Sequence, residues 1–241
     1  FVMSLALRNA DEGWLASFAR GLSDDATGFG CPLLGGVTVA TPGPLTISIT
    51  AFGRVPPGET ILRSGAEPGD RIVVSGTIGD ASLGLAILTG KMTVGDAAVR
   101  EMLLGRYRIP QPRIALAETV RKFARAAMDV SDGLAGDLAK LCAASGVSAV
   151  IDAGSVPLSD AARGLMEQGR ICLESMVSGG DDYEILCTMA ENRFGDFARA
   201  ARSVGVAATS IGTIVAGNIP PKWFDAEGSE IALPRLSYSH F

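Results

Sequence analysis

Twice in this chain a short apolar strand runs straight into a glycine-rich loop that opens a helix, and that grammar leaves few folds available. Ile72-Val73-Val74 leads into Ser75-Gly76-Thr77-Ile78-Gly79-Asp80. Ala127-Met128-Asp129-Val130 leads into Ser131-Asp132-Gly133, after which Leu134, Leu138 and Leu141 recur along one helical side. Around these units the signals alternate. Phe1 to Leu7 reads as a strand, and Asp11 caps a helix whose Trp14, Leu15, Phe18 and Leu22 are expected to face the core. Leu45 to Thr50 alternates apolar and polar, which predicts a strand with one buried face. Pro110 and Pro112 introduce a helix to about Arg125. A further helix is expected from about Glu191 to Val204, and strands at Val147 to Ile151, Tyr183 to Cys187 and Ala208 to Val215. The interleaving predicts a layered α/β or α+β fold with helices over a sheet. The break Pro56-Pro57-Gly58 marks a boundary, dividing the chain into residues 1–60 and 61–241.

Composition excludes several function classes. The 241 residues can bury a substantial core, and 47% hydrophobic with 20% charged residues is the balance of an ordinary globular chain, not of a disordered one. A net charge of −5 without a long basic run argues against a nonspecific grip on nucleic acid. No apolar run is long enough to span a bilayer, so no membrane role is expected. Cys31, Cys142, Cys172 and Cys187 show no C-x-x-C spacing and His240 is the single histidine, which leaves almost no ligand set for zinc and makes a histidine-based hydrolase improbable. The thiols are expected as buried packing in a reducing cytosol. There is no Walker A loop, because Gly90-Lys91 is followed by Met92 and Leu85 stands where the first glycine belongs.

Three segments carry chemistry. In Asp129-Val130-Ser131-Asp132-Gly133 two carboxylates sit three residues apart where a strand turns into a helix, so both can converge on one point. A helix N-terminus attracts phosphate and two carboxylates repel it, a conflict that a divalent cation resolves. Magnesium, which joins one or two carboxylates to nucleotide phosphates, fits. Ser131 offers a phosphate its hydroxyl or its amide. The same residues also suit a plain N-cap beside a solvated strand end. Ser178-Gly179-Gly180-Asp181-Asp182-Tyr183-Glu184 sets three carboxylates beside a diglycine and reads either as an acidic turn or as a ligand site. Gly35-Gly36-Val37-Thr38 brings backbone amides to phosphates or makes a tight turn between strands. Arg63 reads as a phosphate contact or a surface ion pair. The tail Tyr238-Ser239-His240-Phe241 is unusually aromatic, and is expected either packed down or stacked on a ligand.

Taken in order, these segments resemble the thiamine-monophosphate kinases, in the superfamily that also holds aminoimidazole ribonucleotide synthetase. The resemblance is carried by Leu33 to Gly36, Thr41 to Thr46, Arg63 to Ala66, Val74 to Asp80, Asp129 to Leu134, Gly179 to Leu186 and the tail. It implies ATP-dependent transfer of a phosphoryl group to thiamine monophosphate, giving thiamine diphosphate. It also implies a two-domain fold with mixed sheets covered by helices and a homodimer formed through the N-terminal domain. By position, Asp129 and Asp132 are implied as the catalytic magnesium ligands. Ser131, Arg63, Gly36 and Val37 match ATP contacts, and Asp182 and Tyr238 match substrate contacts. Two features depart from the family pattern: Val37 stands where Asp or Asn is usual, and nothing matches the family's N-terminal acidic segment, so the chain reads as part of a longer protein. The alternatives are a sibling ATP-dependent enzyme and a catalytically silent binding homologue.

Overall fold

A computed structural model describes residues 1–237, and the chain divides into two compact units, Phe1–Gly58 and Glu59–Phe241. In the first unit, β1 (Val2–Leu7) lies between β2 (Gly35–Ala40), parallel to it, and β3 (Thr46–Thr50), antiparallel to it. The Gly35-Gly36 segment is therefore strand and not a turn. Gly36 is required there by contact: a Cβ would lie 1.9 Å from the Met3 carbonyl oxygen. The helix α1 (Glu12–Gly28) begins as expected, with the Asp11 carboxylate accepting from the Trp14 amide at 2.6 Å.

Two expectations fail in this unit. No residue of α1 is buried, and Trp14 and Phe18 instead stack on each other with ring centroids 5.1 Å apart. Every residue of β3 is exposed, Ile47 and Ile49 included. The cause is geometric: one helix and three strands offer too few layers to cover both faces of each element.

The second unit is built on a seven-stranded mixed sheet. Its strands and helices are, in chain order, β4 (Asp70–Ser75), α2 (Asp80–Leu88), α3 (Ala97–Arg108), α4 (Ala117–Phe123), β5 (Ala126–Val130), α5 (Leu134–Ser145), β6 (Ser148–Asp152), α6 (Asp160–Glu167) and α7 (Leu173–Val177). They continue as β7 (Glu184–Ala190), α8 (Phe194–Ser203), β8 (Ala208–Val215), β9 (Lys222–Phe224) and β10 (Glu230–Ile231). The spatial order is β10-β9-β6-β8-β4-β7-β5. Both faces are covered, as the side-chain alternation of the central strands requires. Ile72, Val74 and Leu186 enter a core with Leu134, Leu138 and Leu141 of α5. Val73, Cys187 and Met189 enter the opposite core, with Phe123 of α4 and Phe197 of α8.

This topology positions the site. β4 and β5 both pair antiparallel with β7, which lies between them, so they run in the same direction. Their C-terminal ends and glycine loops emerge at one edge of the sheet, flanking the first residue of β7.

Leu138 has no exposed surface and stands in the middle of the α5 face. Leu138→Ala is expected to cost about 3 kcal/mol, read as a shift of the denaturant midpoint at unchanged m-value. A loss below ~1 kcal/mol would show that α5 is not held by this face.

Candidate active site

The Ser131–Gly133 loop and the Ser178–Tyr183 loop are fastened together by backbone. The Asp181 amide donates to the Ser131 carbonyl and the Tyr183 amide to the Val130 carbonyl, both at 2.9 Å. Close approach demands glycine: a Cβ on Gly180 would lie 2.4 Å from the Ser131 oxygen. Asp181 and Tyr183 take left-handed backbone conformations, φ 70° and 51°, which a non-glycine residue holds only where its surroundings enforce it.

Two carboxylates do the local fastening. Asp137, buried in the first turn of α5, accepts from the amides of Ser131 and Asp132, both at 3.0 Å. Asp182, 1% exposed, accepts from the Gly79 amide at 2.9 Å and the Ala81 amide at 3.4 Å, closing the start of α2. Burial pushes the Asp182 carboxyl up to about 8; these two amides and Arg106 pull it down, and the neighbouring Asp80 adds to the rise.

A cavity of about 1080 Å³ opens at these loops, lined among others by Ser131, Asp132, Gly180, Asp181, Tyr183, Ser82 and Tyr107. Tyr183 shows how the charges gather. Its hydroxyl donates to Asp181 at 3.3 Å. Its phenol is held above the usual tyrosine value by burial first, then by the charge and hydrogen bond of Asp181 and the charges of Asp129 and Asp132. Asp129 is exposed at the end of β5 and Asp132 is half-buried. The Lys140 ammonium pairs with Asp132 and with Asp137, the latter at 2.9 Å. Burial draws Lys140 toward losing its proton, but the hydrogen bonds and charges of the two aspartates outweigh it and hold the group above the usual lysine value.

Ser131 and Asp132 line the cavity and Asp129 does not, its charge reaching the site at Tyr183; none of the three is a simple N-cap, since α5 is capped by Gly133 without a side-chain bond. Asp182 is interior and accepts from backbone amides, while its neighbours Asp181 and Tyr183 line the cavity. Arg63 is exposed and does not line the cavity. A bridge from Leu62 to Ala126 sets Arg63 beside the start of β5, roughly 13 Å of strand from its other end. Gly36 and Val37 lie on β2 of the first unit, and Tyr238 falls outside the described residues. Asp137 and Lys140 escaped sequence reading, although Asp in a first helical turn with Lys three residues later is a visible pattern. Of the thiols, Cys142 and Cys187 are buried, whereas Cys31 is half-buried and Cys172 is exposed at the cavity wall, contrary to expectation.

Among the described residues no three His, Cys, Asp or Glu side chains form a metal cage. Asp129 and Asp132 nonetheless fit magnesium, which takes one or two carboxylates and completes its shell with water and phosphate oxygens.

Residues 1–55 match the AIR synthase related protein N-terminal domain and residues 67–220 the corresponding C-terminal domain. The two units are therefore those of an AIR synthase-related protein. Thiamine-monophosphate kinase of Caulobacter vibrioides is 44% identical over 230 residues, 93% of this chain and 63% of that protein, so the chain spans less than two thirds of that relative. The crystal structure of thiamine-monophosphate kinase from Stenotrophomonas maltophilia superposes with a TM-score of 0.84 at 36% identity, covering 95% of this chain and 72% of the other. The AaThiL complex with AMPPCP and TMP gives 0.78 at 26%, covering 100% and 72%. The chain belongs to the thiamine-monophosphate kinase family.

Because the folded state holds the Asp182 proton more tightly than the unfolded chain, this group favours folding at low pH. That contribution is lost as pH rises from about 4, the ordinary carboxyl value, to about 8. Asp182→Asn is expected to flatten the fall in unfolding free energy across that window, measured by denaturant titration at each pH. Superimposable wild-type and variant profiles would refute it.

Proposed function

We propose that the protein to which this chain belongs transfers the γ-phosphoryl group of ATP to the phosphate of thiamine monophosphate, releasing ADP and thiamine diphosphate. One phosphate oxygen of the acceptor forms the new bond to phosphorus as the bond to the ADP oxygen breaks. The reading rests on one observation above all: the Asp129–Asp132 loop is hydrogen-bonded to the Asp181–Tyr183 loop, and Asp132 and both ends of the second loop line one cavity. The family supports the reaction, since the AaThiL complex holds an ATP analogue together with TMP.

Each residue has a role that its setting suits. Asp129 and Asp132 would hold magnesium, which when bound neutralises charge on the phosphates and supports in-line transfer. Ser131 serves through its hydroxyl, because its amide is committed to Asp137. Arg63 and the backbone of Gly36 and Val37 serve the nucleotide. Asp182 is proposed as the substrate-binding acidic position together with Asp181 beside it: Asp181 lines the cavity, its carboxylate accepts hydrogen bonds from an aminopyrimidine, and the Tyr183 hydroxyl already orients it. Tyr238 remains proposed as the aromatic substrate contact. The domains are taken as 1–60 and 61–241. The exposed apolar strands of the first unit suit pairing with a second copy, giving a homodimer. The unpaired cysteines suit a cytoplasmic setting, and no described helix is long and apolar enough to cross a membrane.

The test is full-length protein with magnesium, ATP and thiamine monophosphate, assayed for thiamine diphosphate. Asp129→Asn with Asp132→Asn is expected to lower kcat by roughly 10²-fold or more with folding retained. Asp181→Asn is expected to raise KM for thiamine monophosphate with little effect on KM for ATP. Ligand binding without turnover in well-folded wild type would retire the kinase reading.

A further inference from the structure

The Lys140 ammonium is shared between two carboxylates of unlike character. The Asp137 side chain is 1% exposed and already anchors the Ser131 and Asp132 amides through its other oxygen. The Asp132 side chain is 46% exposed and reaches the cavity. A buried carboxylate cannot give up a charged partner without leaving an uncompensated charge in the interior, whereas an exposed one is rehydrated when its partner leaves. Asp137 is therefore the permanent partner of Lys140 and Asp132 the exchangeable one. Lys140 itself is 41% exposed, so its head group is free to tilt from one carboxylate toward the other.

We propose that Lys140 is a resident counter-cation for Asp132, a positioning residue that holds this carboxylate in place and competes for it with an incoming divalent ion. The inference rests on the reading of Asp132 as a metal ligand. In this arrangement Asp132 is oriented and charge-balanced before any ligand arrives, and divalent binding requires Lys140 to fall back onto Asp137. A positive charge held beside the site also repels the ion directly, which weakens its binding.

The experiment titrates full-length protein with Mn²⁺ at low ionic strength, without nucleotide, reading free Mn²⁺ by electron paramagnetic resonance. Lys140→Met is expected to tighten Mn²⁺ binding by about five- to tenfold, and Lys140→Gln, a neutral polar variant, should do the same. Lys140→Arg should bind as wild type does. Asp132→Asn, measured in parallel, separates the two claims. If it leaves Mn²⁺ affinity unchanged, Asp132 is not a ligand, and the inference falls with its premise. If it weakens Mn²⁺ while Lys140→Met and Lys140→Gln bind no tighter than wild type, the counter-cation role alone is overturned.

Discussion

A carboxylate with no exposed surface sets the geometry of the second unit. Glu184, the first residue of β7, accepts from the Ser75 hydroxyl at 2.6 Å, from Arg106 at 3.0 Å and from Arg113 Nε at 2.7 Å. Ser75 in turn accepts from the Ile185 amide at 2.8 Å. The Arg113 guanidinium is held above its usual value chiefly by its hydrogen bond to Glu184. Such a cluster is tolerable only when complete, since losing one member strands the other charges out of water. It ties the end of β4 to the start of β7, together with α3 and the segment that follows it. Asp181, Asp182 and Tyr183 immediately precede this pinned residue, which helps hold the left-handed backbone of Asp181 and Tyr183.

The second unit was legible because its signals are local. Both strand-to-helix glycine loops and the apolar stripe of α5 are properties of short windows, and the core obeys them. The failures have a common origin in partners that a window does not contain. Whether Trp14 or Ile47 is buried depends on whether another layer covers it, and periodicity reports only that one face is apolar. Gly36 looked like a turn because diglycine is usual there; its cause is the Met3 carbonyl one strand away, more than thirty positions earlier in the chain.

The two neighbouring aspartates show the same limit at finer scale. Asp181 and Asp182 are chemically identical, and only the left-handed backbone at 181 and 183 decides which faces the cavity and which turns inward to α2. Asp137 was hidden for a related reason. Its function is to accept from two amides five and six residues earlier, and that relation exists only once the loop has folded back over the helix start.

Those buried carboxylates bear on how an anion is held. A helix N-terminus ordinarily offers its free amides to phosphate. Here Asp182 takes the amides of Gly79 and Ala81 at the start of α2, and Asp137 takes those of Ser131 and Asp132 just before α5, whose own first turn carries no side-chain cap. Each carboxylate also offsets the partial positive charge of the helix end it meets. The Ser131–Gly133 loop contributes Ser131 and Asp132 to the cavity wall, with both of their amides already bonded to Asp137. The charges of Asp129, Asp132 and Asp181 gathered around Tyr183 therefore lie beside helix starts whose positive ends two internal carboxylates already offset.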